Sequence, residues 1–295
     1  TAWDQDPGSL TKANAVASAI RSLIWQEFAR YPQMEFLVLV GDDRVMPYYR
    51  GKDGAEGELS TIREYDYAQN HIAPNTTIGL ALRQDVTLSD DFYASRQALQ
   101  VRGQALYLPD KASGRLIETP EEINQTIDRF LQNSTLNRSG TLILSNNTIA
   151  GRLAGGQYAC TTMQQVLGNQ VDCKTSTAAW RPTDFTQWHL QPNPAPDLHL
   201  LVIGSRHWQM NMGDNTWLAL NDIAGIANTL AGKIVIATGS HGGLNVTDGD
   251  LHPQDWPQFY TQRGAVYIGN TGWELFFTEK AVGLSHKLAA DFARQ

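Results

Sequence analysis

The chain has little cysteine, and its apolar runs are short. Only Cys160 and Cys173 occur in 295 residues, and neither their spacing nor a neighbouring pair of histidines fits a zinc site. The two cysteines are compatible with one disulfide or with two buried thiols. The longest apolar runs, such as residues 36–40 and 233–237, have the length of a strand, so they are far too short to span a bilayer.

Basic residues are also in short supply. The 23 Lys and Arg residues stand against 30 Asp and Glu, which gives a net charge of −7, and the basic residues form no cluster. Because binding to phosphates needs a positive field, this balance argues against a nucleic-acid partner. Hydrophobic residues make up 42% and charged residues 18%. That is the composition of an ordinary globular protein with one large domain or two modest ones.

The first residues of the chain are polar. Residues 1–6 have no signal-peptide pattern, and Thr1 in place of Met predicts a mature form, a trimmed chain or a domain of a longer chain. These residues leave the cellular compartment open.

Helical and strand-like patterns alternate along the chain, which is typical of an α/β protein with a mostly parallel sheet and helices on both faces. Helices are predicted over 11–30, 119–131, 151–168, 218–230 and 278–294, and strands over 35–41, 141–145, 198–204, 233–239 and 264–269. The strand at 35–41 is expected to be buried. Residues 50–90 are rich in Gly, Asp, Asn and Thr, and we expect long loops there with little regular structure. The pattern is that of one composite unit, divisible into an N-terminal α/β subdomain of residues 1–137 and a C-terminal one of residues 138–295.

Three predicted strands of the C-terminal subdomain end in residues suited to chemistry. Parallel sheets bind ligands beyond the carboxyl ends of their strands, and the three ends are Gly204–Trp208, Gly239–Gly243 and Gly269–Trp273. His207 at one end and Ser240 at the next supply a base and a hydroxyl for it to activate. Glycines beside Ser240 permit a tight turn with N–H groups for an oxyanion hole, although glycines at strand ends are more often plain turns.

Five segments of the chain resemble the gingipain family of cysteine peptidases, which shares a clan with the caspases, separase and clostripain. The segments follow the family's order and are distributed along most of the chain: Phe36–Pro47, Leu88–Ala94, Leu108–Pro120, Lys233–Leu244 and Arg263–Gly272. The resemblance implies a caspase- and gingipain-like fold and an endopeptidase that forms an acyl-enzyme with a protein or peptide substrate. It implies no required cofactor, and it favours a secreted or cell-surface location over the cytoplasm.

In that family a His follows one core strand, and the catalytic Cys follows the next strand after a helix. Matched residue by residue, the His position falls on His207 and the Cys position on Ser240. Gly239 and His241 then supply the backbone around the oxyanion. A shift of one residue would place Arg206 at the His position instead.

Ser240 departs from the family's Cys. A thiol is partly ionised near neutral pH, whereas a hydroxyl needs an efficient base and an orienting group. Three explanations are open. The serine is an engineered replacement of the Cys, or it is a natural serine in an active or an inactive relative. Alternatively, the match to the family is shifted, and His241 is the family's His. In the last case the nucleophile would follow the final strand, where Asn270 and Thr271 stand. We favour an engineered or natural serine in the Cys position.

The remaining candidates lie around this centre. Trp273, Trp208 and Asn270 are expected to line the substrate pocket, although Trp273 equally suits the edge of the sheet. His241 suits either substrate positioning or a hydrogen-bonded scaffold. The acidic loops 89–91 and 248–250 are candidate ligands for a structural Ca²⁺, but solvated turn acids explain them better because neither has EF-hand spacing.

Two functions follow from these observations. One is a cysteine-type endopeptidase domain that is inactive or weak with Ser240. The other is an inactive pseudopeptidase that serves as a protein-binding or scaffold domain.

Overall fold

Two compact units make up the chain. The first comprises Thr1–Ile123 and Val246–Pro253, and the second comprises Asn124–Asn245 and Gln254–Gln295. The computed structural model describes residues 2–53, 63–101, 104–132, 135, 140–146, 150–176, 178–191, 196–214, 216–226, 230–246, 249–274 and 284–294. The subdomain boundary expected at 137/138 falls outside these ranges and stays a prediction.

The first unit is built from short strand pairs and helices. Its elements are α1 (Leu10–Arg30), β1 (Phe36–Val40), β2 (Tyr49–Lys52), α2 (Glu64–His71), α3 (Thr77–Leu82), β3 (Val86–Ser89), α4 (Asp91–Ala94), β4 (Ala98–Val101), β5 (Gln104–Tyr107) and β6 (Ala112–Leu116). β1 pairs with β6 in parallel, while β2 pairs with β3 and β4 with β5 in antiparallel fashion.

Two expectations for this unit are wrong. Strand β1 is buried on one face only: Leu39 belongs to a buried hydrophobic cluster with Ala17 and Phe92, whereas Phe36 is 74% exposed. A continuous apolar run therefore does not require burial on both faces. The expected loops at 50–90 contain β2, α2, α3 and β3, because buried side chains of the helices stabilise segments whose local propensity is weak.

The second unit contains a parallel sheet of five strands. The elements are α5 (Pro120–Gln132, which begins in the first unit), β7 (Thr141–Asn146), α6 (Ala150–Leu167), β8 (Val171–Ser176), α7 (Pro182–Phe185), β9 (Leu198–Val202), β10 (Ser205–Arg206), β11 (Gln209–Gly213), β12 (Thr216–Ala219), α8 (Leu220–Ile223), β13 (Ile234–Ala237), α9 (Trp256–Gln262), β14 (Val266–Gly269) and α10 (Leu284–Arg294). The strand order is β14-β13-β9-β7-β8.

Helices cover both faces of this sheet. Leu142 and Leu144 of β7 join a core with Phe259 and Tyr260 of α9. Ile143, which points to the opposite face, joins a second core that includes residues of α6 and α10. The expected α/β class with a mostly parallel sheet flanked by helices is therefore confirmed.

Two further expectations are settled in this unit. The helix predicted over 218–230 is wrong, because Thr216–Ala219 pairs with β11 as a strand and α8 is only a short helix after it. Cys160 of α6 and Cys173 of β8 form a disulfide, which decides between the two alternatives for this pair.

In the part of the chain that the structure describes, no helix is long and apolar enough to cross a membrane.

Candidate active site

The ends of β9 and β13 lie side by side. The two strands are parallel neighbours, with Leu201 opposite Ala237, so the residues that follow them meet at one edge of the sheet. Ser205 Oγ donates a hydrogen bond of 3.1 Å to the carbonyl oxygen of Ser240. A Cβ atom on Gly239 would lie 2.2 Å from the carbonyl oxygen of Ile203, so only glycine allows the two chain segments to approach this closely.

Ser240 is almost buried, with 8% of its surface exposed. Its Oγ accepts a hydrogen bond of 3.0 Å from the backbone N–H of Glu274, which lies on the loop after β14. Glu274 in turn accepts a hydrogen bond at Oε1 from His286 Nε2 on α10, and both of these side chains are fully buried. The sequence did not single out Ser205, Glu274 or His286.

Hydrogen bonds to carbonyl oxygens of the residues after β14 stabilise the turn that follows Ser240. His241 N donates to Gly272 O over 2.8 Å, and Gly243 N donates to Asn270 O over 2.7 Å. The backbone of His241 has a φ of +54°, a conformation that residues other than glycine seldom adopt. The His241 N–H expected near an oxyanion is thus engaged with a carbonyl in this structure.

Two polar side chains complete this turn. Asn270 Nδ2 donates to the carbonyl oxygen of Thr238 at 2.5 Å, and Tyr267 Oη donates to that of Gly242 at 2.8 Å. Asn270 therefore supports the turn through both its backbone and its amide. Whether it also meets a substrate stays a prediction.

His241 and Trp273 pack against each other. Their ring centroids are 4.9 Å apart with an interplanar angle of 81°. Burial lowers the pKa of His241 to about 3, so its imidazole is neutral at physiological pH and is a poor proton acceptor. The ring contact with Trp273 and the neutral imidazole together favour the interpretation of His241 as scaffold.

His207 lies in the turn between β10 and β11. The residue is buried, and its carbonyl oxygen accepts a hydrogen bond of 2.8 Å from Trp256 N at the start of α9. The preceding Arg206 directs its guanidinium over the ring of Trp217, 4.6 Å from the centroid. The neighbouring Trp208 is half-buried and accepts from Leu220 N through its carbonyl oxygen.

The structure thus brings the ends of the candidate strands together. Ser240, His241 and Trp273 belong to one connected group through the contacts above, and Ser205 is the hydrogen-bonded neighbour of Ser240 on the β9 side. The pairing of His207 with Ser240, and the pocket role of Trp208, stay predictions.

The acidic loops are engaged within the first unit. Asp90 receives hydrogen bonds at both carboxylate oxygens from Arg115, and Asp250 accepts one of 2.7 Å from Ala73 N. Asp248 lies outside the described residues. Within the described ranges, no group of three or more His, Cys, Asp or Glu side chains is placed to hold a metal ion. Structural Ca²⁺ at these loops stays a prediction.

Comparison with known proteins connects this geometry to a fold. No family model and no curated protein matches the chain. Among solved structures, the complex of the Porphyromonas gingivalis RgpB pro- and mature domains is 11% identical with a TM-score of 0.54, and the match covers 96% of this chain and 61% of that one. The chain has a gingipain-like fold.

Two further structures share this gingipain-like fold. One is the Arg-specific cysteine proteinase gingipain R, with 13% identity, a TM-score of 0.52 and coverage of 88% of this chain and 54% of that one. The other is described only as a protease, with 14% identity, a TM-score of 0.53 and coverage of 88% and 51%. The chain therefore spans between half and two thirds of the length of the structures it matches. The expected gingipain-like fold is confirmed.

Proposed function

We propose that this chain is a cysteine-type endopeptidase domain whose nucleophile position is residue 240. The observation that supports it best is the placement of Ser240. Its side chain lies beyond the end of β13, next to the end of β9, where parallel sheets bind their ligands, and its Oγ meets the N–H of Glu274. A gingipain-like fold makes peptide-bond cleavage the natural chemistry for a nucleophile at this edge.

The proposed reaction proceeds through an acyl-enzyme. The side-chain atom of residue 240 adds to the carbonyl carbon of the substrate while His207 takes its proton, and the carbonyl oxygen becomes an oxyanion. The C–N bond then breaks, and the amine leaves with that proton. Water releases the acyl group by the same two steps, with a proton again passing through His207.

Ser240 makes this reaction slow. A serine hydroxyl ionises far less readily than a thiol and depends on a well-placed base. We therefore expect weak or no turnover by the chain with Ser240, and faster cleavage when a cysteine occupies the position.

A second function is a non-catalytic domain that binds other proteins. One observation favours it: the N–H of His241, which would be needed for an oxyanion, donates to the carbonyl oxygen of Gly272.

Replacement of Ser240 distinguishes the two functions. Ser240→Cys should give cleavage of a peptide library and covalent labelling by a peptidyl acyloxymethyl ketone, and both should disappear in Ser240→Cys/His207→Ala. Ser240→Ala is the matched inactive control. A folded Ser240→Cys protein without turnover and without labelling would reject the peptidase function and favour the binding domain.

The disulfide bears on where the protein works. Disulfides persist in oxidising compartments and are rare in the cytosol, so the Cys160–Cys173 bond supports a secreted or cell-surface location. Fractionation of the native host, with the bond assayed by alkylation before and after reduction, tests this proposal.

A further inference from the structure

A chain of hydrogen bonds connects α10 to residue 240. His286 Nε2 donates to Glu274 Oε1, and the backbone N–H of Glu274 donates to Ser240 Oγ. The first bond joins two fully buried side chains, and the second ends on the atom that would act as nucleophile. Residues far apart along the chain are thus connected to one reactive position.

The imidazole of His286 is fixed from its other side by α6. A Cβ atom on Gly155 would lie 2.1 Å from His286 Nδ1, so the ring packs directly against the helix backbone and needs glycine there. Within the described residues, Nδ1 has no hydrogen-bond partner. The hydrogen bond to Glu274 is therefore the polar contact that orients the ring.

The Glu274 side chain is buried, and its Oε1 accepts the hydrogen bond from His286. A buried carboxylate is stabilised by the hydrogen bonds that it accepts. The bond from His286 therefore helps to fix the residue that carries the N–H. An N–H donor directed at a thiolate favours the ionised form.

We propose that His286 is a positioning residue that acts through Glu274, and that the Glu274 N–H activates the nucleophile at position 240 when that residue is a cysteine. The inference rests on the proposed function, because it assigns both residues to the same site. It adds a donor from the loop after β14 to a centre otherwise built from the ends of β9 and β13.

Thiol reactivity tests this proposal without a peptidase assay. Since the two cysteines of the chain are bonded to each other, Ser240→Cys introduces a single free thiol. Its sulfur displaces iodide from iodoacetamide, and the rate is followed by mass spectrometry at neutral pH without reductant. In the Ser240→Cys background, His286→Ala should slow alkylation about tenfold, which corresponds to a rise of about one unit in the thiol pKa.

Two matched variants separate positioning from general damage to α10. His286→Gln retains an N–H donor for Glu274 and should restore the rate to within about threefold of the single variant. Leu288→Ala changes an exposed side chain of the same helix and should leave the rate unchanged. Thermal unfolding establishes that each variant is folded.

An unchanged rate in folded His286→Ala, or no alkylation of the introduced thiol at all, would overturn the proposal. If His286→Ala does not fold, amide exchange at Glu274 in the Ser240 protein replaces it: Ser240→Ala should speed exchange of that N–H about tenfold, and equal exchange would overturn the proposal. Alkylation that depends on His286, without peptide cleavage, would retain the inference and reject only the peptidase function.

Discussion

Ser205 Oγ lies 3.1 Å from the carbonyl oxygen of Ser240 and donates a hydrogen bond to it. This bond connects the residues that follow two neighbouring parallel strands. Both residues are buried, so the carbonyl oxygen depends on Ser205 where water has little access.

Ser205→Ala should lower the free energy of unfolding by about 1–3 kcal/mol, since it leaves a buried acceptor without its donor. Urea denaturation measures the effect. Ser22→Ala is the matched control, because Ser22 Oγ donates to the Ser18 carbonyl oxygen on an exposed surface, and its loss should cost less than about 0.5 kcal/mol. Equal losses in the two variants would contradict the importance of the buried bond.

Gly239→Ala should destabilise the protein by about 3 kcal/mol or prevent folding of the turn, because its Cβ would lie 2.2 Å from a backbone oxygen. Gly225→Ala is the control, since a Cβ there meets no atom of the described residues within 4 Å. Thermal unfolding of both variants checks the prediction. Gly239→Ala with the stability of the parent would show that the strand ends are further apart.

Acid should destabilise the second unit through a buried pair of histidines. His199 Nδ1 lies 2.6 Å from His189 Nδ1, and His189 Nε2 lies 2.8 Å from Tyr260 Oη. Burial lowers the pKa of His199 to about 4, and burial also lowers the pKa of His189. Both rings are therefore neutral in the folded protein at pH values where they are protonated in the unfolded chain.

The sign of the effect follows from proton binding. Between pH 6.5 and about 4 the unfolded chain binds more protons than the folded protein, so the free energy of unfolding should fall as the pH falls through this window. His199 alone should contribute about 3 kcal/mol across it. Urea denaturation at several pH values measures the slope, which His199→Gln should reduce. The same slope in the variant would rule out this cause.

Reduction of the disulfide should lower stability by about 3 kcal/mol, because the bond closes a loop between residues separated by 13 positions. Thermal unfolding with and without dithiothreitol tests this. The variant Cys160→Ala/Cys173→Ala should match the reduced protein and should not respond to the reductant. A response of the variant would point to an effect of the reductant itself.

Local signals were sufficient for much of the fold. The start of the helix predicted over 119–131 is confirmed by a reciprocal bond pair, in which Glu122 N donates to Thr119 Oγ1 and Thr119 N donates to Glu122 Oε2. β7, β9 and β13 were predicted from apolar runs of strand length. The helix predicted over 218–230 was wrong at its start, because its apolar residues suit a helix locally while pairing with β11 makes residues 218 and 219 part of a strand.

The sequence predicts only the part of the candidate site that is formed by residues directly after the strands. The order of strands places residues 205 and 240 at one edge, and the glycines at 239 and 243 indicate a close approach. The contributions of Glu274 and His286 come from tertiary packing, because nothing in the spacing of these residues brings them to residue 240. Likewise, nothing in the sequence indicates that Gly155 makes room for a histidine on another helix.

The interruption of the second unit matters for the design of fragments. Val246–Pro253 belongs to the first unit although both flanking stretches belong to the second, and this excursion begins a few residues after Ser240. A fragment cut at residue 123 would separate this segment from its own unit and leave it inserted in the sequence of the other unit. A single truncation therefore yields neither unit intact. To express the second unit alone, residues 246–253 have to be deleted, and to express the first unit alone, they have to be joined to it.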